Sequence, residues 1–137
     1  MEKCVADVLL KRNGLKKTKQ RVLLLDEIIE IGKSFTAAGL FEKFCNSMDL
    51  VTIYRTLNLF EKKRIIRVVL TGDEAKYYEI SCIHNPIHPH FYCTICKSVS
   101  CLDEIKEKDI INLKEYGKNC SINDISIQLS GICHRCK

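Results

Sequence analysis

An α+β chain in two parts is predicted by three features of the sequence. Apolar residues recur at helical spacing as far as Phe60, two β-rich segments follow from Ile65 onward, and two Cys-x-x-Cys pairs frame the remainder. The boundary is expected after Cys82, with a helical part over residues 1–82 that ends in a hairpin and a small α/β part over residues 83–137. At 137 residues in all, neither part buries enough apolar surface to be secure alone, so the part that carries the paired cysteines is expected to use them as a staple.

Residues 5–11 read as a short helix that stops before Asn13-Gly14, a turn signal. Lys16, Lys17, Lys19 and Arg21 cluster around Thr18, whose hydroxyl can cap the next helix. In that helix Val22, Leu25, Ile28 and Ile29 recur at helical spacing, and Gly32 supplies the stop. Thr36 is expected to cap a third helix with Leu40, Phe41 and Phe44 as its apolar stripe. A fourth is expected over residues 52–62. There Ile53, Leu57 and Phe60 fall at i, i+4 and i+7 and pack inward, which leaves Thr52, Tyr54, Arg55, Thr56 and Asn58 on the other faces. Such a helix suits the DNA major groove, where Arg forks onto guanine and Asn or Thr meets other base edges. Taken alone it reads more readily as an amphipathic surface helix. Residues 65–70 and 76–80 are β-rich and joined by Thr71-Gly72-Asp73-Glu74, a hairpin signal. Short helices followed by a hairpin make a winged helix-turn-helix, and in that setting the DNA reading is favoured, with Lys16, Lys19 and Arg21 added to the contact set.

In the second part, residues 91–93 and 99–101 look like strands flanking a turn, residues 103–116 like a helix with Gly117 just past its end, and residues 121–129 like an alternating strand. A two-residue spacer turns both sulfurs of a Cys-x-x-Cys pair toward a common point. Cys93, Cys96, Cys133 and Cys136 can therefore close four thiolates around one tetrahedral Zn²⁺. His88 and His90, at i and i+2 of an extended segment, point to one face and Cys93 to the other, which suggests a second, open metal centre. A sheet this small has exposed edges and too little core, so pairing with a second copy is expected.

Charge is uneven along the chain. Through Leu70 there are 14 Lys and Arg against 8 Asp and Glu, whereas from Thr71 the count is 8 against 9. A basic first part suggests a polyanionic partner. Nine cysteines with no secretory pattern near Met1 suit a reducing cytoplasm, where paired cysteines bind metal more often than one another. The apolar runs are too short to span a bilayer, so no membrane role is expected. Catalysis is not expected either. A thiol oxidoreductase would place Cys93-x-x-Cys96 at a helix start, and a zinc hydrolase would need a His-x-Glu or His-Glu-x-x-His arrangement that is missing.

Four pieces together resemble the ferric uptake regulator family of bacterial metalloregulators: residues 15–21 with Thr-x-Gln-Arg, the helix Thr52-Ile53-Tyr54-Arg55-Thr56-Leu57, the run His88-Pro89-His90-Phe91-Tyr92-Cys93-Thr94-Ile95-Cys96, and Gly131-Ile132-Cys133-His134-Arg135-Cys136. The resemblance implies a winged helix joined to an α/β dimerisation domain, working as a homodimer that represses metal-uptake genes by binding a double-stranded operator when its metal site is filled. It implies structural zinc on the four cysteines. The sensing site departs from the iron pattern: Ser34, Ile87, Pro89 and Ile125 stand where relatives carry ligands. Cys82, His88 and His90 remain, similar to the zinc-uptake branch, and a thiolate with two imidazoles suits Zn²⁺ better than Fe²⁺ or Mn²⁺. Asp73, Glu79, His84, Cys101 and Glu104 are candidates for the fourth ligand. Glu79 matches the iron-branch carboxylate, so an iron-, manganese- or peroxide-responsive member is the competing expectation. Cys4, Cys45 and Cys120 read as small apolar residues.

Overall fold

The computed structural model describes residues 4–137 of the chain. Two compact units make it up, Met1–Pro86 and Ile87–Lys137.

The first unit holds four helices and a hairpin: α1 (Ala6–Arg12), α2 (Lys19–Ile31), α3 (Ala37–Phe44), α4 (Leu50–Lys62), β1 (Ile66–Thr71) and β2 (Lys76–Ile80). Each of the last three helices starts on a side-chain cap that satisfies an otherwise orphaned amide. Thr18 Oγ1 accepts from Arg21 N–H at 3.3 Å, Thr36 Oγ1 from Gly39 N–H at 3.0 Å, and an Asp49 carboxylate oxygen from Thr52 N–H at 2.7 Å. The Asp49 cap is why α4 begins at Leu50, ahead of the expected residue 52. Gly32, in the left-handed region at φ 61°, ends α2 where a side chain would be strained. Inward-facing Leu10, Leu24, Leu25, Ile53, Leu57 and Phe60 have no exposed surface and form one cluster with Leu40, Ile65 and Ile66. Burying each such side chain contributes about 1.5–3 kcal/mol, so α4 is held by its apolar stripe while its other faces stay free.

β1 and β2 pair antiparallel, with a register shift between Val68 and Leu70. A bridge outside the hairpin joins Phe35 to Tyr78 through two backbone hydrogen bonds of 2.9 and 2.8 Å, and their rings stack at 5.8 Å. This ties the turn before α3 to the hairpin, a link with no local signature in the sequence. Arg67 faces Glu79 across the strands, and the Glu79 side chain is buried. Arg67 Nη2 lies 3.4 Å from Glu79 Oε2 and donates to the Asn85 carbonyl at 2.9 Å. Asn85 Nδ2 donates to the same carboxylate at 3.2 Å.

The second unit contains β3 (His90–Cys93), β4 (Val99–Cys101), α5 (Glu107–Glu115) and β5 (Gln128–Gly131). Its sheet runs β4-β3-β5, antiparallel on one side of β3 and parallel on the other. The expected strand over residues 121–129 is shorter and later. Alternation supplies a face, but a strand also needs a partner ladder, and β3 offers four residues, which pair with Gln128–Gly131. The helix expected over 103–116 is likewise trimmed to Glu107–Glu115, and it buries none of its residues. Ile95, Ile111, Leu113, Leu129 and Ile132 are all exposed. Among the described residues no helix is long and apolar enough to cross a membrane.

Candidate metal centres and nucleic-acid interface

The four-cysteine cluster is built by strand register. Cys93 ends β3 opposite Gly131, the last residue of β5, so the turn after β5 delivers Cys133 and Cys136 to the turn after β3 that carries Cys96. The Thr94 N–H donates to the Gly131 carbonyl at 2.8 Å and locks the two turns together. Lys97, at φ 63°, closes the first turn, with its N–H on the Cys93 carbonyl at 2.9 Å. All four sulfurs lie within 4.8 Å of one another, and Cys96 Sγ is 3.8 Å from Cys133 Sγ. A tetrahedron with Zn–S bonds of about 2.3 Å has edges of about 3.8 Å, so the donor set fits that ion. The Cys93 thiol is pulled down to about 6 by the backbone N–H groups of Cys133, Cys96 and Ile95, with burial opposing. Cys96 is also lowered, first by the Ser98 hydroxyl at 3.1 Å. Cys136 is pushed up to about 12, first by its contact with Cys133. Metal binding would deprotonate all four.

A second group lies on β3 and β4. His90 pairs directly with Cys101 across the two strands, which puts their side chains on one face. The His88 and His90 rings are 4.5 Å apart, and a ligand atom from each of His88, His90 and Cys101 falls within 4.8 Å of the others. His90 is buried.

Cys82 belongs to the first unit, and there its thiol stands with Cys4 and His84. Cys4 Sγ is 3.4 Å from His84 Nδ1. The Cys4 thiol is raised to about 11, chiefly by burial and by Cys82, against a lowering influence of Arg12. By sequence Cys4 reads as a small apolar residue, since no spacing pattern joins positions so far apart. Asp73, in the hairpin turn, and Glu104 join no cluster of three such side chains among the described residues.

On α4 the Tyr54, Arg55 and Asn58 side chains are exposed, while Thr52 and Thr56 are partly covered. Thr56 spends its hydroxyl on the Thr52 carbonyl at 2.8 Å. Lys16 and Lys19 are exposed near the start of α2, and Arg21 donates back to the Lys16 carbonyl at 3.0 Å. Lys17 is occupied by Asp7 at 2.7 Å. The Asp49 carboxyl at the head of α4 is held below the usual carboxylate range by the Thr52 hydroxyl and amide.

The family model described as "Ferric uptake regulator family" matches residues 12–130. The ferric uptake regulation protein of Campylobacter jejuni is 28% identical over 135 residues, covering 93% of this chain and 83% of that one. The structure of the Vibrio cholerae ferric uptake regulator aligns with a TM-score of 0.71 at 26% identity, over 93% of this chain and 98% of that chain. A zinc uptake regulator complexed with zinc and DNA shares the fold, with a TM-score of 0.61 at 18% identity over 96% of this chain and 89% of that one. With a matching model across most of its length and a mixed helix-and-sheet fold around a four-cysteine centre, the chain belongs to the ferric uptake regulator family of metal-responsive DNA-binding regulators.

Proposed function

We propose that the chain is a cytoplasmic, zinc-responsive repressor of metal-uptake genes, acting as a homodimer. The observation that carries the choice of metal is the donor set on β3 and β4: the Cys101 thiol stands opposite the buried His90 imidazole, with His88 beside it. One sulfur and two nitrogens suit Zn²⁺, whereas Fe²⁺ and Mn²⁺ favour oxygen and nitrogen. Zinc on Cys93, Cys96, Cys133 and Cys136 is structural, with all four positions filled by protein.

In this reading α4 enters the major groove with Thr52, Tyr54, Arg55, Thr56 and Asn58 toward the bases, while Lys16, Lys19 and Arg21 meet phosphates. The exposed apolar side chains of the second unit and the open edges of its sheet are the surface that a second copy covers. Metal acts by differential affinity for the DNA-competent form, a coupling of about 1–3 kcal/mol that amounts to at most a few hundredfold in operator affinity. Iron sensing is the second reading, favoured by the name of the Campylobacter jejuni relative.

Operator binding measured against added Zn²⁺, Fe²⁺ and Mn²⁺, in the wild type and in His88→Ala, Cys101→Ser and Cys82→Ser variants, tests the proposal. Zinc is expected to strengthen binding, and Cys101→Ser to blunt that response. Equal operator affinity with and without zinc would overturn it, and a response to Fe²⁺ alone that survives Cys101→Ser would establish the iron reading.

A further inference from the structure

Cys4, Cys82 and His84 form a cluster apart from the four-cysteine centre and the paired histidines. We propose that it is an additional metal site, taking a thiophilic cation, Zn²⁺ or Cu⁺, through two sulfurs and one imidazole nitrogen. The three donor atoms already lie within 4.8 Å of one another, and the Cys4 Sγ to His84 Nδ1 separation is 3.4 Å.

Two separate pieces of backbone deliver them, and each is anchored. Cys4 lies two residues ahead of α1, whose Ala6, Leu9 and Leu10 are buried in the core. Cys82 and His84 lie in the turn after β2, closed by Asn85 N–H on the Cys82 carbonyl at 2.9 Å and by Asn85 Nδ2 on the Ile80 carbonyl at 2.8 Å. The donors are thus positioned by packing that does not depend on an ion, which lowers the cost of binding one.

The surroundings select the class of ion. All three residues line one cavity of about 620 Å³, and His84 is exposed at it, so an ion has a way in. Among the described residues no carboxylate lines that cavity, so Ca²⁺, Mg²⁺ and Mn²⁺ find no carboxylate ligand there. Arg12, Lys63 and Arg64 also line it, and their positive charge would offset the negative charge of two thiolates gathered on one ion. Three protein donors leave one position for water or a small thiol, so this ion should exchange more readily than one held by four thiolates. Once bound, it ties the segment ahead of α1 to the turn after β2 and closes a loop of 80 residues.

The test is a metal titration of the full chain, anaerobic and with a phosphine reductant so that all thiols stay reduced, using Zn²⁺ and in a separate arm Cu⁺. Cys4→Ala and His84→Ala, each confirmed as folded by far-ultraviolet circular dichroism, are expected to bind one equivalent less than the wild type. His84 is exposed, so the second variant keeps the test valid even where Cys4→Ala disturbs α1. His88→Ala is expected to keep this equivalent, which separates the fate of this site from that of the proposed sensor. Co²⁺ used as a spectroscopic probe should show weaker thiolate-to-metal absorption in Cys4→Ala. Identical equivalents of both Zn²⁺ and Cu⁺ in wild type, Cys4→Ala and His84→Ala, or an unchanged Co²⁺ spectrum, would overturn the proposal.

Discussion

Replacing Glu79 by alanine removes the carboxylate from an ion pair that is almost fully dry. The Glu79 side chain is 1% exposed and that of Arg67 10%. Breaking such a pair by deleting one partner costs about 3–5 kcal/mol, because the remaining charge stays buried without its counter-ion. Here the pair is long at 3.4 Å, and Arg67 keeps the Asn85 and Pro86 carbonyls at 2.9 and 3.3 Å. Those two acceptors place the loss at the low end, about 3 kcal/mol. With a urea dependence of about 1.5 kcal/mol per M, the unfolding midpoint should fall by about 2 M. Urea unfolding of the full chain followed by far-ultraviolet circular dichroism reads this well, since four of the five helices among the described residues lie in the first unit. Glu79→Gln, which keeps an acceptor, should lose roughly 1–1.5 kcal/mol. The double variant Arg67→Met, Glu79→Leu should recover most of the stability, as apolar replacements of buried pairs do. A Glu79→Ala protein within about 0.5 kcal/mol of wild type would refute the reasoning and mean that water reaches the pair.

Leu57→Ala removes a fully buried side chain from the packed face of α4 and should cost about 2–5 kcal/mol by the same urea assay, with operator affinity per folded molecule preserved. Arg55→Ala should weaken binding to the operator by about 1–3 kcal/mol with little effect on non-specific DNA, whereas Lys19→Ala should weaken both and lower the salt dependence by about one. Cys136→Ser opens the four-cysteine cluster, and loss of its zinc, read by mass spectrometry, should expose the amides of β3 and β5 to hydrogen exchange. The Asp49 carboxyl titrates lower in the folded than in the unfolded chain, so its contribution is present above the unfolded carboxylate range and is lost as pH falls through the folded value. Asp49→Asn keeps the acceptor and should remove that acid dependence from the exchange of the Thr52 amide.

Local chemistry made much of the first unit legible. Thr18, Gly32 and Thr36 act where a cap or a left-handed residue is needed, and Ile53, Leu57 and Phe60 pack as their spacing implies. The two Cys-x-x-Cys pairs were readable for the same reason, since each spacer positions its own sulfurs. What escaped depends on contacts far apart in the chain. Phe35 meets Tyr78, and Cys4 meets His84, through packing with no short-range pattern to announce it. Ile122 and Ile125 alternate with polar neighbours as strand residues do, yet the ladder on β3 is used up by Gln128–Gly131. By sequence Cys101 is one of five candidates for the fourth ligand, but only the pairing of β3 with β4 sets it opposite His90.

β3 has a bearing on the order in which the protein becomes competent. His90 opens this strand and Cys93 closes it, so the proposed sensor and the staple sit on one rod, about 10 Å apart along the backbone and on opposite faces. The parallel ladder to β5 that steadies His90 ends at Gly131, one residue before the turn that carries Cys133. If the proposed roles hold, a newly made chain without its structural zinc would lack a fixed place for the imidazoles, and maturation would precede sensing.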